Sequence, residues 1–341
     1  LAATIVLFAA CGTSQVAEEP PTAVVVRPTT TETVGIVATT VVSTTTSTEG
    51  PGVVVVSDLV YYESEDGNAL HLDVYRPSDG VDLPLVVLFH ASPLFGGTKA
   101  SVRDLATMMA ERGAVVFAPS YGSRVFDPTE VESWFSEQGP CAVWTAVDMG
   151  LSFGADPGNL VLFGETTGSF PASTVFSPPT EAAGCVAAPV DVDVEAAFFF
   201  EQDWFFVPDI WDPVLTDDPR YFATIQPWDD LTHLRSTSIY ILVGELSDQG
   251  GFDRSMQRAT YVDSDWVRLR DPEGDLADAW VASGGLDDDR MSLTDVSEVF
   301  TAVLLDVGWD AQLVVVPGTG HGLNEPAMAF VVDLLFEEMA D

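Results

Sequence analysis

Residues 154–173 read GADPGNLVLFGETTGSFPAS, and the order of features in this stretch decides the fold. Asn159–Phe163 is a short apolar run of strand length, with a turn signal ahead of it. Gly164-Glu165-Thr166-Thr167-Gly168 follows, and then a segment that can begin a helix. A strand, a tight glycine-flanked turn and a helix are the setting of a nucleophile elbow, G-x-S-x-G. The flanking glycines are wanted because a sharp turn brings neighbouring backbone too close for side chains. Here the apex is Thr166 rather than serine. Ser169 does not replace it, since it lies nearly a helical turn beyond the apex.

Working outward, the β-branched run Val53–Val56 can add a strand at a sheet edge. Asp58–Pro77 alternates, with Leu70, Leu72 and Val74 on one side and His71, Asp73 and Tyr75 on the other. That pattern predicts a half-buried strand in a hairpin turning at Asp66-Gly67-Asn68, with His71 at the surface or rim. Pro84–Phe89 and Ala114–Ala118 predict buried strands, and Ser101–Arg112 a helix stopped by Gly113. Val131–Phe153 reads as helix.

Beyond the elbow come strand Val194–Phe200, an aromatic and acidic loop Glu201–Trp228, and strand Ser238–Val243. A polar insertion Gln249–Arg290, a helix Ser292–Val307, strand Gln312–Val316 and helix Pro326–Met339 complete the chain. Strands alternating with helices predict an α/β fold, a mainly parallel twisted sheet with helices on both faces. The loops at His90, Thr166, Asp248 and His321 all leave carboxyl ends of strands, where functional groups gather in such sheets.

The 53 acidic residues against 13 basic give a formal charge of −40, and Lys99 is the one lysine. Such a surface repels nucleic acid and anionic lipid headgroups, which excludes both as electrostatic partners. It suits a salty medium, where ions screen the self-repulsion. Asp287-Asp288-Asp289 lacks the spacing and central glycine of a calcium loop. The four histidines are scattered and the cysteines have no ligand spacing, so neither metal nor other cofactor is expected.

Leu1–Ala10 is apolar and leads into Cys11. Ten residues are too few to span a bilayer but suit the middle of a secretory signal. The small residues before Cys11 resemble the lipobox of bacterial lipoproteins, which implies lipidation of Cys11. The chain then divides into a signal peptide (1–11), a Thr/Val/Ser/Pro-rich tether (12–52) and a domain (53–341) with insertions at about 201–230 and 249–290. The expected location is extracytoplasmic, at the cell envelope, with the membrane met only through the lipid anchor. Given export, Cys141 and Cys185 are left to pair in an oxidising compartment. They would close a loop of about 45 residues, worth roughly 4 kcal/mol of chain entropy.

From about Asp58 to the C-terminus the order of features resembles the α/β-hydrolase superfamily, and more narrowly its bacterial esterase and dienelactone-hydrolase-like branches. Leu83–His90 with its loop, Gly154–Gly168, and Val314–Gly322 with its PGTGHG carry the resemblance. It implies a chain order of nucleophile, acid and histidine. On this sequence that gives Thr166, then Asp248 (with Asp253 or Asp288 as alternative acids), then His321 as general base. A hydroxyl is a weak nucleophile until an imidazole takes its proton, and a carboxylate orients that imidazole. The same resemblance makes His90 the structural start of an oxyanion loop. It places backbone N–H donors at Thr167 and at Ala91 or a near neighbour, Pro93 having none.

Two functions follow from these residues. One is an exported hydrolase of small-molecule carboxylic esters; the other is a catalytically silent protein of the same fold serving as a cell-surface binding or scaffold module. Thr166 separates them, because its β-branch stiffens χ1 and crowds an approaching acyl carbon. Trp204, Phe205, Phe206, Trp211 and Trp228 either pack a small cap or wall a pocket for apolar or aromatic esters.

Overall fold

The apolar runs assemble into one eight-stranded sheet of order β1-β2-β4-β3-β5-β6-β7-β8. Its strands are β1 (Val53–Glu63), β2 (Ala69–Pro77), β3 (Leu83–Phe89), β4 (Val115–Pro119), β5 (Ala155–Glu165), β6 (Val194–Phe200), β7 (Ser238–Gly244) and β8 (Asp310–Val316). The computed structural model describes residues 52–64, 67–91, 97–122, 133–176, 184–188, 190, 192–201, 237–247, 294, 297, 298, 301, 304, 305 and 309–339. The leader and tether, Cys11, and most of both insertions lie outside the described residues.

β1 pairs with β2 and β2 with β4 in antiparallel register, and every later pairing is parallel. The parallel strands are continuous apolar runs because both faces are covered. Helices α1 (Arg103–Arg112) and α4 (Glu325–Glu338) pack one face through Leu105, Met109, Val331 and Leu335. The other face carries α2 (Gly139–Gly150) and the short α3 (Ser169–Ser173), which bury Cys141, Val143, Trp144 and Phe170. Among the described residues no helix is long and apolar enough to cross a membrane.

Three expectations change. β2 is not half-buried: Asp73 and Tyr75, on its polar-looking side, are buried as well, because α1 covers that side. The long helix expected over 131–153 is broken into a π-helical turn (Trp134–Gln138), α2 and a 3-10 turn (Leu151–Phe153). Pro140 has no N–H to continue the ladder, so the regular helix begins at its level. β5 is longer than its apolar centre, since Ala155-Asp156 already pairs with Leu83-Pro84 before the register shifts to Leu85–Leu160.

Cys141 on α2 and Cys185 form a disulfide with a Cα–Cα distance of 5.2 Å. Cys185 also bridges to Tyr62 of β1, so the bond joins the helical layer to the hairpin edge.

Candidate active site

The elbow has the geometry its glycines predict. Thr166, directly after β5, takes a left-handed φ of 46°, and a 3-10 turn Thr166–Gly168 leads into α3. A Cβ on Gly164 would meet Ser169 N and Cα at 2.5 and 2.4 Å. One on Gly168 would meet the His90 and Phe89 carbonyl oxygens at 2.5 and 2.7 Å. Both glycines are therefore fixed by backbone against backbone. Ser169 is fully buried and donates to the Gly164 carbonyl at 2.9 Å, so its hydroxyl ties the turn rather than facing a ligand.

The loop after β3 is pinned beside the elbow. The His90 ring is buried, stacks on Tyr121 with centroids 4.5 Å apart, and donates from Nδ1 to the Ala91 carbonyl at 2.6 Å. Its Nε2 accepts from the Tyr121 N–H at 3.4 Å. Burial lowers the His90 pKa to about 4, which suits a neutral ring with one donor and one acceptor. His90 is thus a structural histidine. The Ala91 amide lies beside the Glu165 carboxyl, and the remainder of that loop, 92–96, lies outside the described residues.

His321 stands in the loop after β8, half-exposed, with Nδ1 at 3.1 Å from Oε2 of Glu201. Glu201 directly follows β6, and its side chain is 0% exposed. Its Oε1 accepts from the Gly244 N–H at 2.5 Å and from the Ser247 hydroxyl. Parallel register brings these groups to one edge: Glu165 pairs with Phe200, Phe200 with Leu242, and Gly244 with Val316. The loops are then stitched together. Leu246 N–H donates to the Thr319 carbonyl at 2.8 Å, and Gly318 N–H to Glu245 at 2.9 Å. Asn324 caps α4 by accepting from Ala327 N–H, while its own Nδ2 donates to the Gly318 carbonyl.

Glu201 is the carboxylate that sequence reasoning missed. The sequence places the acid at Asp248, in the loop after β7, or at Asp253 or Asp288, and all three lie outside the described residues. One signal was present: an acid immediately after the fully apolar Phe198-Phe199-Phe200. A charge placed there must leave the core or find donors. It finds three, and its own φ of 55° is left-handed like that of Thr166. Backbone strain of this kind clusters at functional sites.

Glu165 sits between these parts. Burial raises the pKa of its carboxyl, while the N–H groups of Ala91 and Leu323 and the nearby His321 pull it down. Among the described residues no group of three His, Cys, Asp or Glu can hold a metal ion.

No protein-family model and no curated protein matches the sequence. Solved structures do match. The propionate-bound Est2 esterase of Thermogutta terrifontis is 18% identical with a TM-score of 0.56, over 83% of this chain and 93% of that one. The same esterase phosphoramylated by tabun is 19% identical, TM-score 0.55, over 86% and 96%. A Pyrobaculum calidifontis esterase is 16% identical, TM-score 0.53, over 84% of each chain. With the sheet order, the covered faces and the elbow, these likenesses define the protein as one with the α/β-hydrolase fold.

Proposed function

We propose that this protein is a carboxylic-ester hydrolase in which Thr166, His321 and Glu201 share one proton path. The observation that carries this reading is the buried Glu201 carboxylate on His321 Nδ1, at the sheet edge where the left-handed Thr166 apex also lies. Nδ1 is the donor in that pair, which makes Nε2 the basic nitrogen of the ring. His321 Nε2 takes the Thr166 proton as Oγ1 attacks the ester carbonyl carbon, giving a tetrahedral oxyanion. The N–H groups of Thr167 and Ala91 receive its charge. Collapse expels the alcohol, which leaves with the proton from Nε2. Water, activated by the same nitrogen, then attacks the acyl-threonine and releases the acid with Thr166 restored.

Export with lipid attachment at Cys11 is part of the same proposal. Its support is the Cys141–Cys185 disulfide, since such bonds persist in oxidising compartments. Asp248 takes no part in this reading, and small apolar or aromatic esters are its expected substrates.

The test is an assay of short acyl esters with wild type, Thr166→Ser and Thr166→Ala. Serine removes the crowding methyl and raises kcat, whereas alanine removes the nucleophile and leaves only background. No activity in either wild type or T166S would leave the binding or scaffold role in possession. Equal rates in all three would remove Thr166 from the chemistry.

A further inference from the structure

We propose that Tyr121 is a positioning residue that sets the spacing between the two amide donors of the site, at Ala91 and Thr167. The inference rests on the ester-hydrolysis reading and names a residue outside its proton path. Tyr121 is reached two residues after β4, whose parallel pairing with β3 puts its carboxyl end beside His90.

The ring alone does not explain a tyrosine. Phenylalanine would fill the same volume, and a hydroxyl in a core costs free energy unless it is bonded. Here the hydroxyl is fully buried and donates to the His90 carbonyl at 2.9 Å. On its other side that carbonyl oxygen lies against Gly168, where any Cβ would meet it at 2.5 Å. The loop after β3 is thus held between Tyr121 and the elbow.

A second link reaches the elbow itself. The Thr167 hydroxyl is buried and falls short of a well-formed hydrogen bond, yet it is near enough to the Tyr121 hydroxyl to lower its pKa. Burial raises that pKa far more, with the Glu165 charge adding to it, so Tyr121 stays a neutral donor. The third link is the backbone. Tyr121 N–H donates to His90 Nε2, and the same ring donates from Nδ1 to the Ala91 carbonyl. Side chain and main chain of one residue therefore hold His90, the neighbour of Ala91, and the His90 carbonyl in turn lies against Gly168, the neighbour of Thr167. An oxyanion needs two donors at one fixed separation, and its stabilisation falls steeply when either drifts.

Tyr121→Phe keeps the stacked ring and deletes only the hydroxyl. Two measurements are made on the folded full chain: steady-state ester hydrolysis, and amide hydrogen exchange resolved over the segments around Ala91 and Thr167. The expected result is a kcat lower by about tenfold, less than the hundredfold or more lost when a donor is removed outright, because both donors remain, with KM unchanged. Exchange rises at Ala91 and Thr167 and keeps wild-type rates in β7 and α4. A merely space-filling tyrosine would raise exchange throughout or nowhere, and would leave kcat alone. Should the wild type hydrolyse esters and Y121F match its kcat, the positioning role fails and the hydrolase reading stands. Should the wild type lack activity while exchange rises only at those two segments, the hydrolase reading fails and the structural coupling stands.

Discussion

His321 Nδ1 lies 3.1 Å from Oε2 of Glu201, and the two residues come from loops after β8 and β6 that are 120 positions apart in the chain. The pair is asymmetric, with the imidazole half-exposed and the carboxylate wholly buried. A buried carboxylate holding three donors is fixed in place, whereas the ring it orients can reach a ligand.

Glu201→Gln therefore separates the candidate acids. The amide keeps an oxygen for Gly244 N–H but no longer stabilises an imidazolium. By analogy with triad acids replaced by their amides, kcat should fall by about four orders of magnitude with the fold retained. Asp248→Asn should stay near wild type. The reverse pattern in the same assay would return the role to Asp248.

The left-handed Thr166 gives a stability prediction independent of turnover. A β-branched residue at φ 46° costs about 1–3 kcal/mol, part of which glycine recovers at some expense in unfolded-chain entropy. Thr166→Gly should raise stability by about 1 kcal/mol while abolishing hydrolysis. Urea unfolding checks it, and a destabilised T166G would show that the apex is unstrained.

Glu165 predicts a pH dependence with a definite sign. Its folded pKa is raised above the ordinary 4.5, chiefly by burial, so between those two values the native state binds a proton more fully than the unfolded chain does. Stability from this group is then greatest at low pH and falls as pH rises from about 4.5 through the folded pKa. Glu165→Gln cannot ionise, so its melting temperature should exceed that of wild type at pH 7 and converge with it below pH 4. Parallel melting curves across that range would contradict the assignment.

Lys99 is the one lysine of the chain, and its Nζ lies 2.5 Å from both Asp58 and Asp73. Asp73 is buried, and it also accepts the Asp58 N–H at 3.0 Å. Lys99→Met should cost about 3–5 kcal/mol, because a buried carboxylate loses its counter-ion. Lys99→Met with Asp73→Asn should recover part of that loss. The hydrogen bond and charge of Lys99 hold Asp58 below the ordinary carboxylate pKa. Its contribution is therefore present above about pH 4 and lost as pH falls through the lowered value. Acid titration of K99M, followed by fluorescence, should lack this increment.

The sequence by itself determined the strands, because buried parallel strands are local apolar runs such as Leu85–Phe89 and Asn159–Phe163. It also determined the elbow, since Gly164 and Gly168 mark a turn wherever backbone must meet backbone. His321 was legible for a related reason, as an imidazole in a glycine-flanked loop after a strand. Only the tertiary structure decided which carboxylate stands behind it. Many acids lie between Thr166 and His321, and chain order accepts any of them. Selecting Glu201 requires the register of β6, β7 and β8, which puts Gly244, Ser247 and His321 around one side chain. The role of Tyr121 was hidden in the same way: its partner His90 stands 31 positions away, and that proximity comes from strand order, which no local pattern encodes.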